Sequence, residues 1–307
     1  MTTLTRRSLL RAGAALPAAG LLGTAARAEA PMMGPSTAQH RRFMIGDFEV
    51  TTILGGTTPR EDPQSIFGTN VSAEEFEEVS TANFLSTESS QFFFTPTLVN
   101  TGAELVLFDT GLNAGATLGA IESAGYSADQ VDIVVLTHMH GDHIGGLMRE
   151  GSPTFANARY VTGQTEYDHW AAAGNDGFDM NVRPLADQMT FIGDMGDVVS
   201  GITGMNAFGH TPGHMVYRLD SAGEGLVIFA DLANHPVWSL ARPDWNVRFD
   251  ADKEAAAQSR RTVLGMIAAD RVPAIGYHMP FPAVGYVAEG GPDAEFRWVP
   301  EAGQLMG

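Results

Sequence analysis

Val131-Asp132-Ile133-Val134-Val135-Leu136-Thr137-His138-Met139-His140-Gly141-Asp142-His143 begins as a run of apolar, β-branched residues and ends in four groups that can bind a cation. A short run of this composition reads as a buried strand. The turn after it holds three imidazoles and a carboxylate within six residues, and Gly145-Gly146 follow, so the setting is strand, turn, helix. Such donors gathered past a strand end can converge on a divalent ion. A single histidine there would read as an ordinary hydrogen-bonded residue.

Outward from this stretch, three more potential ligand groups each close an apolar run: Gly209-His210-Thr211-Pro212-Gly213-His214, Phe229-Ala230-Asp231 and Gly276-Tyr277-His278-Met279-Pro280. Strand-like runs recur at Phe48–Leu54, Phe92–Val99, Glu104–Phe108, Ala158–Val161, Met189–Ile192, Ile202–Phe208, Met215–Leu219, Leu226–Ala230 and Val272–Gly276. Asn100-Thr101-Gly102 has the composition of a hairpin turn. Asn113–Ala124, Gln164–Ala172 and Asp250–Ala269 read as helices, the last with Asp250 as N-cap. Hairpins mixed with strand–helix units, and no second compositional block, point to one α/β domain over residues 41–307. Thr57–Ser90 reads as a polar, irregular loop or lid with an acidic helical patch at Ala73–Val79.

The 307 residues carry 18 basic and 36 acidic side chains, a net charge of −18, and the one lysine is Lys253. This balance disfavours nucleic acid and anionic lipid as partners, and solubility alone accounts for it as well as any steering of cationic substrates does. There is no cysteine, so disulfides, thiolate ligands and cysteine nucleophiles are excluded.

Thr5-Arg6-Arg7-Ser8-Leu9-Leu10-Arg11 resembles a twin-arginine export motif, and the Ala12–Leu22 stretch after it is too short and interrupted for a stable membrane span. Ala26-Arg27-Ala28 has the small-residue spacing of a signal cleavage site, with Ala28-Glu29-Ala30 as a second register. Residues 1–28 are therefore expected to be a twin-arginine signal peptide, residues 29–40 a linker, and the location the periplasm or the outside of the cell. Cutting after Ala28 would leave 14 basic and 36 acidic residues, a net charge of −22.

His138-x-His140-x-Asp142-His143, followed in order by His210, Asp231 and His278, resembles the signature of the metallo-β-lactamase superfamily, and the resemblance runs from about Phe43 to Pro300. It implies an α/β fold, the αβ/βα four-layer sandwich, and two divalent metal ions, zinc by default. It also implies His138, His140 and His210 on one ion, Asp142, His143 and His278 on the other, and Asp231 bridging them. Asp109, in Leu107-Phe108-Asp109-Thr110-Gly111, matches a carboxylate that orients the ligands; capping a tight turn is the other reading, and both can hold together. His214 is expected to be structural, while His169 and His235 are open between pocket and surface roles.

Two such ions would share a water and depress its pKa toward about 7, providing a bridging hydroxide as nucleophile. Asp142 or a bound water would then protonate the leaving group. Asp231 argues against true β-lactamase activity, because those enzymes generally carry another residue there. The stretches Phe43-Met44-Ile45-Gly46-Asp47-Phe48-Glu49-Val50, Leu98-Val99-Asn100-Thr101-Gly102 and His278-Met279-Pro280-Phe281-Pro282-Ala283-Val284-Gly285 resemble the branch containing methyl parathion hydrolase and related lactonases and aryl esterases. That branch uses an aromatic pocket, for which Phe92, Phe93, Phe94, Trp170 and Phe178 are the candidates, with core packing as the other reading of each. The expected substrate is a small-molecule lactone or aryl ester, with phosphotriesters as a side or main activity. The competing reading is a noncatalytic exported metal-binding protein of the same fold. A homodimer is one assembly left open.

Overall fold

Alternate residues of the central strands go to opposite faces, and both faces are apolar. In Leu105–Phe108, Val106 and Phe108 belong to one buried cluster while Leu105 and Leu107 belong to another. In Glu224–Ala230, Leu226 and Ile228 divide from Val227 and Phe229 in the same way. A strand with two apolar faces must be covered on both sides, and that requirement generates the layers.

The computed structural model describes residues 32–303 and residue 305. The expected signal peptide lies outside the described residues. Residues 32–38 have no regular secondary structure, and the first strand is His40–Ile45.

Residues from Thr37 onward contain two seven-stranded sheets. The first runs in spatial order His40–Ile45, Phe48–Ile53, Thr97–Asn100, Leu105–Phe108, Ile133–Val135, Arg159–Gly163, Met189–Ile192. The second runs from Gly196–Val199 through Ile202–Asn206, Met215–Ser221, Glu224–Ala230, Pro273–Gly276 and Val284–Glu289 to Phe296–Pro300. Val106, Phe108, Val135 and Val161 of the first sheet share one core with Tyr217, Leu219, Ile228 and Ile275 of the second. The outer face of the first sheet is covered by Ala120 and Ile121 of the helix Ala114–Ser123 and by Phe178 of the helix Asp176–Asn181. Val263, Leu264 and Ile267 of the helix Lys253–Asp270 cover the second. The result is the helix–sheet–sheet–helix sandwich that the resemblance implies. No helix among the described residues is long and apolar enough to cross a membrane.

Three expectations need correction. Phe92–Val99 is not one strand: Ser89–Phe94 pairs with Gly56–Glu61 in a separate two-stranded arm, and only Thr97–Asn100 joins the main sheet. Pro96 sits at the break, where its missing N–H cannot continue a ladder, and its carbonyl accepts from Ile53 N–H at 3.0 Å. Consequently Thr57–Ser90 is not irregular, since it contains most of this hairpin and the helix Ala73–Ala82, capped by Ser72. Asp250 is not the cap of the last helix: Asp252 is, accepting from Ala255 N–H at 2.9 Å. The hairpin turn at Asn100-Thr101-Gly102 forms as expected, with Gly102 at φ 85° and its N–H donated to Asn100 Oδ1 at 2.9 Å.

Leu219 is fully buried where the two sheets meet. Leu219→Ala should therefore lower the unfolding free energy by about 2–5 kcal/mol, measured by denaturant titration. A loss under about 0.5 kcal/mol, as at an ordinary surface position, would show that the inter-sheet core is not packed as described.

Candidate metal centre

Leu105–Phe108 and Arg159–Gly163 flank Ile133–Val135 in parallel, and Glu224–Ala230 is parallel to Pro273–Gly276. Parallel neighbours end on the same edge, and ligand-bearing turns of α/β sheets collect there. Asp109, His138, Asp231 and His278 each lie one to three residues beyond one of these strand ends. Two of the turns are made in left-handed backbone, at Asp109 (φ 59°) and Ala230 (φ 48°), a conformation that costs a non-glycine residue about 1–3 kcal/mol and clusters at functional sites. His210 comes from the antiparallel side, beyond Ile202–Asn206. Gly209 (φ 126°) lets that loop lie against the last helix, since a Cβ there would fall 2.1 Å from Ala256 N.

The seven side chains expected to act as ligands meet in two adjoining groups, His138, His140, His210 and Asp231 in one, Asp142, His143 and His278 in the other, with donor atoms within 4.8 Å of one another in each. Asp231 reaches both: Oδ2 lies 3.3 Å from His210 Nε2 and 3.1 Å from His278 Nε2, and Oδ1 lies 3.3 Å from His143 Nε2. Asp142 Oδ2 is 3.3 Å from His278 Nε2.

What holds each ring decides which nitrogen it presents. His278 donates Nδ1–H to the Phe93 carbonyl at 2.8 Å, an acceptor that fixes the tautomer. His143 Nδ1 pairs with Asp109 Oδ2 at 2.9 Å, and His210 Nδ1 with Asp250 Oδ1 at 3.0 Å. His138 Nδ1 lies 3.2 Å from Thr137 Oγ1, which in turn donates to Asp109 Oδ2 at 2.8 Å. All four rings therefore aim Nε2 inward, and His140 aims Nδ1. His140 Nδ1 stands 3.0 Å from His138 Nε2 and 3.1 Å from His210 Nε2. Lone pairs converging at that distance repel unless a cation or a proton lies among them. His143 Nε2 and Asp231 Oδ1 are buried without a hydrogen-bond partner, which is costly in a protein with no further demand on them. Five imidazoles and two carboxylates without a thiolate suit divalent first-row ions, so the residues present fit two metal ions.

The electrostatics agree with a site that exchanges protons for cations. Burial disfavours the imidazolium at His210, but Asp231 and Asp250 outweigh it and raise the pKa to about 9. The same opposition at His278, with Asp231 and Asp142 as the carboxylates, also ends at about 9. His140, buried and facing His210, is pushed down to about 3. Against its burial, His143 and His278 hold Asp142 at about 2.

Asp109 both turns the chain and orients ligands: its carboxylate accepts from Thr137 N–H and Oγ1–H as well as from His143. Asp250, read from the sequence as a helix cap, is instead buried between His210 and Arg260, whose Nη1 donates to it at 2.9 Å. No sequence pattern separated that role from capping. His214 accepts the Asp231 N–H at 3.3 Å, so it supports the ligand loop.

A cavity of about 340 Å³ opens over the cluster, lined by Arg60, Phe92, Phe94, Leu112 and Phe249 together with His140, Asp142, His210, Asp231 and His278. Phe92 and Phe94 stand edge-on to His278 at 5.2 and 5.5 Å. The other pocket candidates lie elsewhere. Phe178 is fully buried against Tyr167, because its helix faces the sheet. Phe93 contributes its carbonyl, and Trp170 packs edge-on to His140 while donating Nε1–H to Glu166 at 2.7 Å. His235 is stacked on Trp238 at 3.9 Å and accepts from Val237 and Trp238 N–H, and burial lowers its pKa to about 3. His169 is exposed. Arg60, Leu112 and Phe249 were not legible as pocket residues, because the arm and loops that bring them together are remote in sequence.

The family model of the metallo-beta-lactamase superfamily matches residues 95–274, and the chain belongs to that superfamily. It is 29% identical over 126 residues to YybB, a probable metallo-hydrolase of Bacillus subtilis (strain 168), and the match covers 39% of this chain. The match spans only about half, 53%, of that relative's length. Among solved structures, AidC, described as a dizinc quorum-quenching lactonase in complex with a product, superposes with a TM-score of 0.78 at 26% identity, over 86% of this chain and 97% of that one. The hydrolase AbOPH superposes with a TM-score of 0.80 at 24% identity, over 87% and 99%, a likeness of fold.

Metal uptake should release protons. With His210 and His278 raised to about 9, both rings carry protons at about pH 7, and an ion must displace them. Adding zinc to metal-free protein in weak buffer at about pH 7 should acidify the solution, less so at about pH 10, and apparent affinity should fall as pH falls. Uptake without proton release at about pH 7 would contradict the charge arrangement described.

Proposed function

We propose that the protein is an exported dizinc hydrolase of lactones or aryl esters. The apolar cavity over the cluster carries this reading: Phe92, Phe94, Leu112 and Phe249 form a wall for an acyl chain or ring, and His140, Asp142, His210, Asp231 and His278 form its floor. The 26% identity to a dizinc lactonase across nearly all of that structure supports it. Zinc is the default for a donor set of imidazole and carboxylate. Export through the twin-arginine route rests on Arg6-Arg7 and the Ala26-Arg27-Ala28 site, and a mature protein isolated with residue 1 intact would remove that part.

His138, His140 and His210 would hold one ion and Asp142, His143 and His278 the other, and Asp231 reaches residues of both groups. Bound there, the pair supplies Lewis acidity toward a carbonyl oxygen and lowers the pKa of a water toward about 7. Asp142 is the one carboxylate of the cluster with a partly exposed side chain, at 22%, so it can meet a reacting group. As a carboxylate it can take a proton from the attacking water and pass it to the departing oxygen. The aromatic wall orients the carbonyl over the floor and keeps bulk water from the apolar part of the substrate. Arg60, whose guanidinium lies 5.9 Å over the Phe92 ring, places a cation at the rim.

A panel of acyl-homoserine lactones, aryl acetates and a paraoxon-type triester, given to the zinc-loaded protein, tests this. The lactones and acetates should turn over, chelation should abolish turnover and zinc should restore it. Rates on the triester alone would replace the reading with a phosphotriesterase, and no turnover at all would favour the noncatalytic alternative. Asp231→Asn should cost at least about 100-fold in kcat with the circular dichroism spectrum retained. Phe92→Ala should lower kcat/KM for long-chain lactones about 10-fold or more relative to short-chain ones, since each buried methylene contributes about 0.8 kcal/mol. Equal losses for both would remove Phe92 from the acyl wall.

A further inference from the structure

Glu166 is fully buried, at 0% exposure, near the start of the helix Gln164–Ala173, and it does not line the cavity. A carboxylate out of water is tolerated when its lone pairs are filled, and here four neutral donors fill them. Oε1 accepts from Met139 N–H at 2.9 Å and from Trp170 Nε1–H at 2.7 Å. Oε2 accepts from Thr211 Oγ1–H at 2.7 Å and from Gly213 N–H at 2.9 Å.

The two oxygens therefore serve two different loops. Met139 lies between His138 and His140, and Trp170 stands edge-on to His140 with ring centres 5.8 Å apart. Thr211 and Gly213 belong to the loop that carries His210. Residue 213 can approach this closely only as glycine, since a Cβ there would fall 2.1 Å from Glu166 N. The three imidazoles of one metal group, His138, His140 and His210, thus come from two loops tied through a single carboxylate. The rings of the other group, His143 and His278, are held by Asp109 and by the Phe93 carbonyl instead.

We propose that Glu166 is a positioning residue that sets the spacing of the two ligand loops, and through it the affinity of the ion held by His138, His140 and His210. This rests on the two-metal reading of the cluster. Glu166→Gln is the informative change, because an amide accepts at one end only. Whichever way it is turned, its NH₂ meets the donors of one loop, and that loop is released.

Zinc and cobalt(II) binding to the full chain, wild type and Glu166→Gln, is measured by chelator competition, together with the cobalt absorption spectrum and the melting temperature of the metal-free protein. Two ions should bind the wild type, and the variant should lose about 10–100-fold in affinity for one of them, with a changed cobalt spectrum. The loss should add to that of His278→Ala and shrink when combined with His210→Ala, which already disrupts the same site. If Glu166→Gln does not fold, Thr211→Val and Trp170→Phe each remove one donor and should show smaller losses at the same ion. Wild-type affinities and spectrum in these variants would overturn the inference while leaving the two-metal reading in place, as would a lowered melting temperature with unchanged binding. A wild-type chain that takes up no ion would overturn both.

Discussion

The constraint on which the rest of the structure depends is the burial of Asp231. Its carboxylate is 3% exposed, it lies within 3.3 Å of three imidazoles, and one oxygen has no hydrogen-bond donor. An ion in such a place must be met by opposite charge. The protein supplies that charge either as protons on its histidines or as metal ions among them. The surrounding polar groups follow from this: Asp109, Asp250, Thr137 and the Phe93 carbonyl each occupy the far nitrogen of a ring, so that the near nitrogen faces the cluster.

The sandwich makes this burial affordable in geometric terms. Two sheets packed face to face present their strand ends along one edge, so residues from positions 109 to 278 can meet without any long excursion of the chain. Left-handed backbone at Asp109 and Ala230 concentrates strain at the edge where the ligands leave their strands. Behind them, the fully apolar core of Val106, Val135, Leu219 and Ile228 holds the strands rigid. A site built on strand ends is more exact than one built on free loops.

Specificity belongs to a separate part of the fold. The arm formed by Gly56–Glu61 and Ser89–Phe94 is not hydrogen-bonded into either large sheet, and it packs through Phe67, Phe76, Phe92, Phe94, Trp238 and Trp245 in its own apolar cluster. It places Phe92 and Phe94 beside His278 and Arg60 at the rim. Arm side chains can therefore reshape the cavity, while the arm's backbone keeps its hold on His278 through the Phe93 carbonyl.

The sequence by itself determined the chemistry of the centre. His138, His140, Asp142, His143, His210, Asp231 and His278 could be singled out because ligand residues placed just beyond buried strands are a local pattern, and period-two alternation or continuous apolar runs mark those strands without tertiary knowledge. The α/β class and the helices at Asn113, Gln164 and Lys253 were legible for the same reason, to within a few residues. Tertiary structure decided everything that depends on which side of an element faces what. Phe178 and Phe92 are the same residue type in similar apolar surroundings, yet one fills the core and the other the cavity. Asp250 and Glu166 look like a helix cap and a polar helix residue, and only the folding of distant loops against them makes one the partner of His210 and the other the link between two ligand loops. Carboxylates of that kind have no sequence signature, because the ligand-loop groups that meet them come from positions 27 to 47 residues away.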